Sequence, residues 1–310
     1  AFFVTLVNAC MNMPSGFTMH EGHVANVDPI AAMFGPLWKY ETVHVLLSCY
    51  QATAFAIAGI HAAVLLRHPK SPLFRKALSI SLAVACVSAL LQPLSGHHSA
   101  QGAAALQPLK FAAMEAHFQT QPHAPINIGG LPDLDKHTLD HAVQIPSGLS
   151  ILAFNSPSAE VKGLDDFPRD EWPPVASIHL FFDIMVGTGS AMALLAVVAI
   201  VLAYRKRGLP DSRRFLWAVV LMSPFGLIAM EAGWMVTELG RQPWIVRGFM
   251  RTREAVTPFP HLAAPFWTFG FLYVFLGVTV AYLLFRQLRA SPVERKPATS
   301  DAAEEPADVH

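Results

Sequence analysis

Five stretches of this chain, at roughly 42–66, 73–94, 174–204, 214–237 and 264–286, run for some twenty residues or more with few charges. A helix rising about 1.5 Å per residue needs about 20 such residues to cross the hydrocarbon of a bilayer. No water is available there for backbone N–H and C=O groups, so runs of this length are expected to be helices. Hydrophobic residues make up 53% of the chain, charged residues 14%, and mean hydropathy is +0.39. That is more apolar content than a soluble core of 310 residues needs. The expected fold is therefore all-α, a polytopic transmembrane helix bundle embedded in lipid. Residues 1–10 form a half-length apolar run without a basic flank, which reads as the end of an earlier span rather than a signal peptide. A net charge of zero argues against a nucleic-acid partner. Cys10, Cys49 and Cys86 sit in apolar runs without metal-like spacing and read as small core residues.

The connections set an expected orientation. Arg67, Lys70, Arg75 and Lys76 lie in one short link, and Arg205, Lys206, Arg207, Arg213 and Arg214 in another. Arg286, Arg289, Arg295 and Lys296 follow the last span. Basic links face the cytoplasm, which puts residues 95–173 and 238–263 on the outer side. The organisation expected is 1–94 transmembrane, 95–173 a long extracytoplasmic loop, 174–290 transmembrane, and 291–310 a disordered cytoplasmic tail rich in Pro, Ala and acid. Arg241, Arg247, Arg251 and Arg253 stand on the disfavoured side, where anionic partners such as haem propionates would account for them.

Three residues fall in the outer half of their spans: His44, Met185 and Glu231. Imidazole and thioether are axial ligands of haem iron, and a carboxylate is a harder ligand suited to a high-spin haem with an open position. Each has an ordinary reading as well. Methionine commonly fills gaps between apolar helices, and a histidine at a span end commonly bonds a carbonyl or a headgroup, the reading that suits His61, His68 and His179. Glu231 is harder to dismiss, because a carboxylate in hydrocarbon calls for a cation or a metal.

The run from Glu231 through Gly233-Trp234, followed by Gly240-Arg241-Gln242-Pro243-Trp244, resembles the signature of the cytochrome bd ubiquinol oxidase subunit I family. The resemblance extends to about residue 286. Residues Asn8 to Pro14 are similar to the end of the family's fourth helix, Glu41-Thr42-Val43-His44 to the segment bearing the His ligand of low-spin haem b, and Phe182-Asp183-Ile184-Met185 to the segment bearing its Met ligand. Gln107 to Glu115 with Thr120-Gln121-Pro122, and then Asp140 to Pro146, resemble the quinol-binding loop in its short form, often cyanide-insensitive.

The resemblance implies a bacterial inner-membrane terminal oxidase subunit that works with a second subunit. Quinol would be oxidised at Lys110 and Glu115 on the outer face, and electrons would pass through low-spin haem b at His44 and Met185. They would then reach a pair of high-spin haems, b and d, near Glu231 that reduces oxygen to water. Trp234 and Trp244 would pack against porphyrin, and Arg241 would pair with a propionate. Lys110 and Glu115, five residues apart, would lie about 140° apart round a helix. Alone, they would read as a solvated loop pair.

The chain also departs from the family. The family has nine spans, and the first three and a half have no counterpart here, which reads as a fragment or a divergent or split gene. Asp183 stands where the family usually has Arg, a change expected to lower a nearby haem's potential. His97 and His98 replace part of a Gly-Asp pattern and read as surface residues. Two other classes fit the same helices: a haem b electron-transfer protein that reduces no oxygen, and a proton-coupled transporter without haem.

Overall fold

The computed structural model describes residues 1–258 and 260–290, and the expected tail at 291–310 lies outside the described residues. The helices are α1 Phe2–Asn12, α2 Pro29–Met33, α3 Trp38–Arg67, α4 Pro72–Leu106, α5 Pro108–Met114, α6 Gly148–Phe154, α7 Val175–Lys206, α8 Arg213–Met222, α9 Phe225–Leu239 and α10 Ala263–Ala290. Among the described residues, five helical segments are long and apolar enough to cross a membrane: α3, α4, α7, α8 with α9, and α10. The chain is an all-helical multi-pass membrane protein, as its apolar runs require. It divides into two bodies. One comprises residues 1–67 and 73–256, and the other holds residues 68–72 with 257–310, whose described part is chiefly α10.

Within the first body the helices approach through glycine. A Cβ on Gly226 of α9 would lie 2.5 Å from the Ala52 Cα of α3, and one on Gly59 of α3 would lie 2.2 Å from the Ser223 Cβ. Lipid tails are as apolar as leucine, so helices in a bilayer associate by such close packing rather than by hiding from water. The span expected at 214–237 is broken between α8 and α9 at Ser223-Pro224, because proline has no N–H to give and its ring displaces the preceding turn.

The helix expected to end at 94 runs on to Leu106. At about 1.5 Å per residue its 35 residues span about 52 Å, well past the hydrocarbon. The polar residues beyond Gln92 remain helical because they pack on α3. Ser99 donates to the Tyr40 carbonyl at 2.7 Å, and Gly102 lies against the Tyr40 ring.

Short antiparallel ladders complete the loop regions: β1 Thr18–His20 with β2 His23–Ala25, β3 Ile126–Ile128 with β6 Val143–Ile145, β4 Leu131–Asp133 with β5 Thr138–Asp140, and β7 Trp244–Val246 with β8 Met250–Arg251. Residues 107–174 sit on the bundle through a buried cluster in which Leu109, Ala113 and Met114 of α5 meet Val175 and Ile178 of α7 and Val236 of α9. This core fixes where the loop's polar side chains point.

Candidate functional site

Helix α5 begins at Pro108, whose fixed φ and absent N–H suit a first helical turn. It carries Lys110 inward. Lys110 is 5% exposed, its stem lies over Gly240, and a Cβ there would come within 2.9 Å of the Lys110 Cε. Burial pushes the Lys110 ammonium below its ordinary value, Glu41 opposes the shift, and Arg241 and Arg247 add to it.

Around this cation the ends of α1, α3 and α9 supply a polar cluster. Arg241 Nη2 donates to Glu238 Oε2 at 2.5 Å, and Asn8 Nδ2 donates to Glu238 Oε1 at 2.5 Å. Asn12 Nδ2 donates to Asn8 Oδ1 at 2.8 Å, and Gln107 Nε2 donates to the Asn12 carbonyl at 3.4 Å. Arg241 is 8% exposed, yet its Nε and Nη1 are buried without a partner among the described residues. The Nε–H and the Nη1–H bonds point in different directions, so this buried guanidinium calls for more than one further oxygen acceptor, of which an anionic group would be the strongest.

Glu115 caps α5 in a different environment. Its Oε2 accepts from the Asn127 amide at 3.4 Å, its carbonyl accepts from Asn127 Nδ2 at 2.8 Å, and Asn127 Oδ1 accepts from Gln144 at 3.0 Å. Only 1% of the residue is exposed. Burial drives its carboxyl up to about 8, the Asn127 amide opposes that shift, and the charge of Asp183 adds to it. Lys110 and Glu115 therefore open onto separate clusters, as their positions on one short helix lead one to expect.

His44 and Met185 are both half-buried. His44 Nδ1 lies 3.3 Å from Ser95 Oγ of α4, and Gln92 Nε2 lies 3.1 Å from His44 Nε2. A Cβ on Gly96 would lie 3.5 Å from His44 Cε1, and one on Gly233 would lie 2.9 Å from Met185 Sδ. A side chain at Gly233 would press on the thioether, whereas one at Gly96 would only reach ordinary contact with the imidazole. Imidazole and thioether are both donors that haem iron accepts, and here the imidazole is engaged by Gln92 and Ser95.

The structure does not bring Glu231 to the cluster. It is exposed on α9 and has no polar partner among the described residues. Glu238, seven residues on and so on the same helix face, is the carboxylate that meets Arg241. Sequence reasoning passed over Glu238 and Glu41. A signal for Glu238 was available in its spacing from Arg241, three residues apart and so within reach on a helix. Trp234 is half-buried, and Trp244 lies under the Arg251 guanidinium at 4.9 Å, with Arg251 held by Asp170 at 3.2 Å. His97 and His98 are exposed, and His179 bonds carbonyls, both as expected.

A multi-pass helical membrane protein with buried cations at one end of its bundle, and an imidazole and a thioether beside glycines, is the class this fold and site define. A family model described as cytochrome bd terminal oxidase subunit I matches residues 1–292, and the chain belongs to that family of terminal oxidoreductase subunits. It is 37% identical, over 97% of its length, to a Bacillus subtilis protein assigned as a cytochrome bd menaquinol oxidase subunit I. It is 31% identical, over 93% of its length, to the cytochrome bd ubiquinol oxidase subunit 1 of the same organism. The solved bd oxidase from Geobacillus thermodenitrificans matches 94% of the chain with a TM-score of 0.87 and 39% identity. The chain spans 69%, 64% and 67% of the lengths of these three, about two thirds. Haem is implied by the family.

Proposed function

We propose that this chain is the haem-bearing part of a quinol-oxidising subunit, working with a second subunit in a bd-type oxidase of a bacterial inner membrane. In this reading the segment over residues 95–173, whose first part to Leu106 continues α4, faces outward and receives quinol. Haem, when bound, supplies a one-electron relay and the iron at which oxygen is reduced. The chain's own residues do the rest.

Glu115, nearly dry and inclined to hold a proton, takes a proton from quinol when it is itself ionised, and Lys110 offsets the negative charge of the quinolate left until its electrons depart. His44 and Met185 would hold a low-spin haem b, and Arg241 would bond a propionate through the N–H groups that have no partner among the described residues. The α9 face that carries Trp234 and Glu238, with Trp244, would hold the high-spin haems b and d. Geometry favours Glu238 as its carboxylate, with Glu231, two turns away on that face, as the other candidate.

The observation that carries this reading is the buried Arg241 beside Lys110, with its Nε and Nη1 unpaired among the described residues. Two variants of the assembled oxidase separate the carboxylates. Glu238→Ala is expected to lose most high-spin haem and oxygen uptake, while Glu231→Ala keeps them. Full haem content in Glu238→Ala would remove that residue from the site, and loss in Glu231→Ala would restore the role to Glu231.

A further inference from the structure

We propose that His179 and Asp183 of α7 are positioning residues for quinol oxidation: they pin the turn at Gly129 to the helix and so hold the cradle of Glu115. The inference rests on the reading of the loop as the quinol site.

Both ends of the Glu115 cradle are tied to the same helix. Asp183 Oδ2 accepts from the Gly129 N–H at 2.9 Å. His179 Nδ1 lies 2.8 Å from the carbonyl of Met114, the residue before Glu115, and its Nε2 lies 3.1 Å from the Gly129 carbonyl. The ring donates to whichever carbonyl its tautomer faces, and to both as imidazolium. Gly129 ends the strand on which Asn127 holds the carboxylate and the carbonyl of Glu115. The connection runs from α7 through Gly129 and Asn127 to Glu115, with His179 closing it at Met114. Gly129 has a φ of +66°, which a residue with a side chain adopts only under strain, so the turn suits close attachment. His179 is 1% exposed and is therefore placed by packing rather than by solvent.

The attachment depends on an acceptor side chain at position 183. Arginine at 183 has no acceptor and could not take the Gly129 N–H. The aspartate expected to disturb a haem has one oxygen engaged by the loop instead.

The test uses the assembled oxidase, reading quinol KM and kcat alongside hydrogen exchange at the Gly129 amide. Asp183→Ala removes the acceptor, whereas Asp183→Asn keeps a carbonyl oxygen in its place. Asp183→Ala is expected to raise quinol KM about tenfold, the order a lost buried hydrogen bond produces, with kcat within about twofold and faster Gly129 exchange. Asp183→Asn is expected to stay near the parent in both. His179→Asn, which keeps one donor near Met114 and drops the Gly129 contact, is expected to raise KM about threefold.

An unchanged KM in Asp183→Ala despite faster exchange would overturn the proposal. So would an Asp183→Asn protein as impaired as Asp183→Ala, which would assign the effect to charge. Glu115→Gln separates the two layers of argument. If it impairs quinol oxidation while Asp183→Ala does not, the latch alone is wrong. If Glu115→Gln itself changes neither KM nor kcat, the quinol reading of the loop fails with it.

Discussion

The chemistry of single side chains at the loop end of the bundle is governed by burial. A carboxyl raised to about 8 is mostly protonated at neutral pH and accepts no proton in that state. As pH rises through about 8, the ionised fraction of Glu115 grows, so quinol oxidation is expected to accelerate over that window. Glu115→Gln should lower the rate by about a hundredfold and flatten this limb, as measured by oxygen uptake across pH. A limb that persists in Glu115→Gln would belong to another group. Lys110 and Glu115 are recognisable in the sequence only through their resemblance to a family motif, because a Lys and a Glu in a polar loop carry no signal of burial. The closing of the site over them comes from α5 docking on α7 and α9, a long-range event invisible to local pattern. Glu231 draws attention because it interrupts an apolar run, yet the polar contacts form two turns later, where the helix leaves the apolar zone and Glu238 meets Arg241.

Helices rather than residues decide whether the donors stay available. Gly233 lets α9 approach α7 closely enough that a Cβ would sit 2.9 Å from Met185 Sδ. Gly233→Ala is therefore expected to displace the thioether and change the reduced low-spin b spectrum with the fold intact, whereas an unaltered spectrum would show that Met185 has room to move. Gly226 meets backbone, so nothing there can yield. Gly226→Ala is expected to destabilise the α3 and α9 crossing by about 1–3 kcal/mol, seen as a lower Tm of the purified protein. All five spans are legible from length and apolarity, since hydrocarbon enforces both. The extension of α4 to Leu106 is not, because its polar residues are kept helical by contacts with Tyr40 that no periodicity announces. The three-residue strands of the loop are equally silent. Each is too short for an alternating pattern and exists through its partner strand.

Taken whole, the described residues of the first body gather their buried Lys, Glu and Arg side chains at the loop end of the bundle. Lys110, Glu115 and Arg241 lie there with the half-buried Glu238, and His44 and Met185 lie close to Gly96 and Gly233. Such buried ionisable groups in a membrane protein are costly to retain and are ordinarily functional. The measurement that tests the account most directly is the reduced-minus-oxidised spectrum of the purified oxidase containing this chain, compared among the parent, His44→Ala and Met185→Leu. The expected result is a low-spin b-type signal in the parent that is lost in His44→Ala and shifted or lost in Met185→Leu. A parent without a haem spectrum, or one whose b-type signal survives both substitutions unchanged, would contradict it.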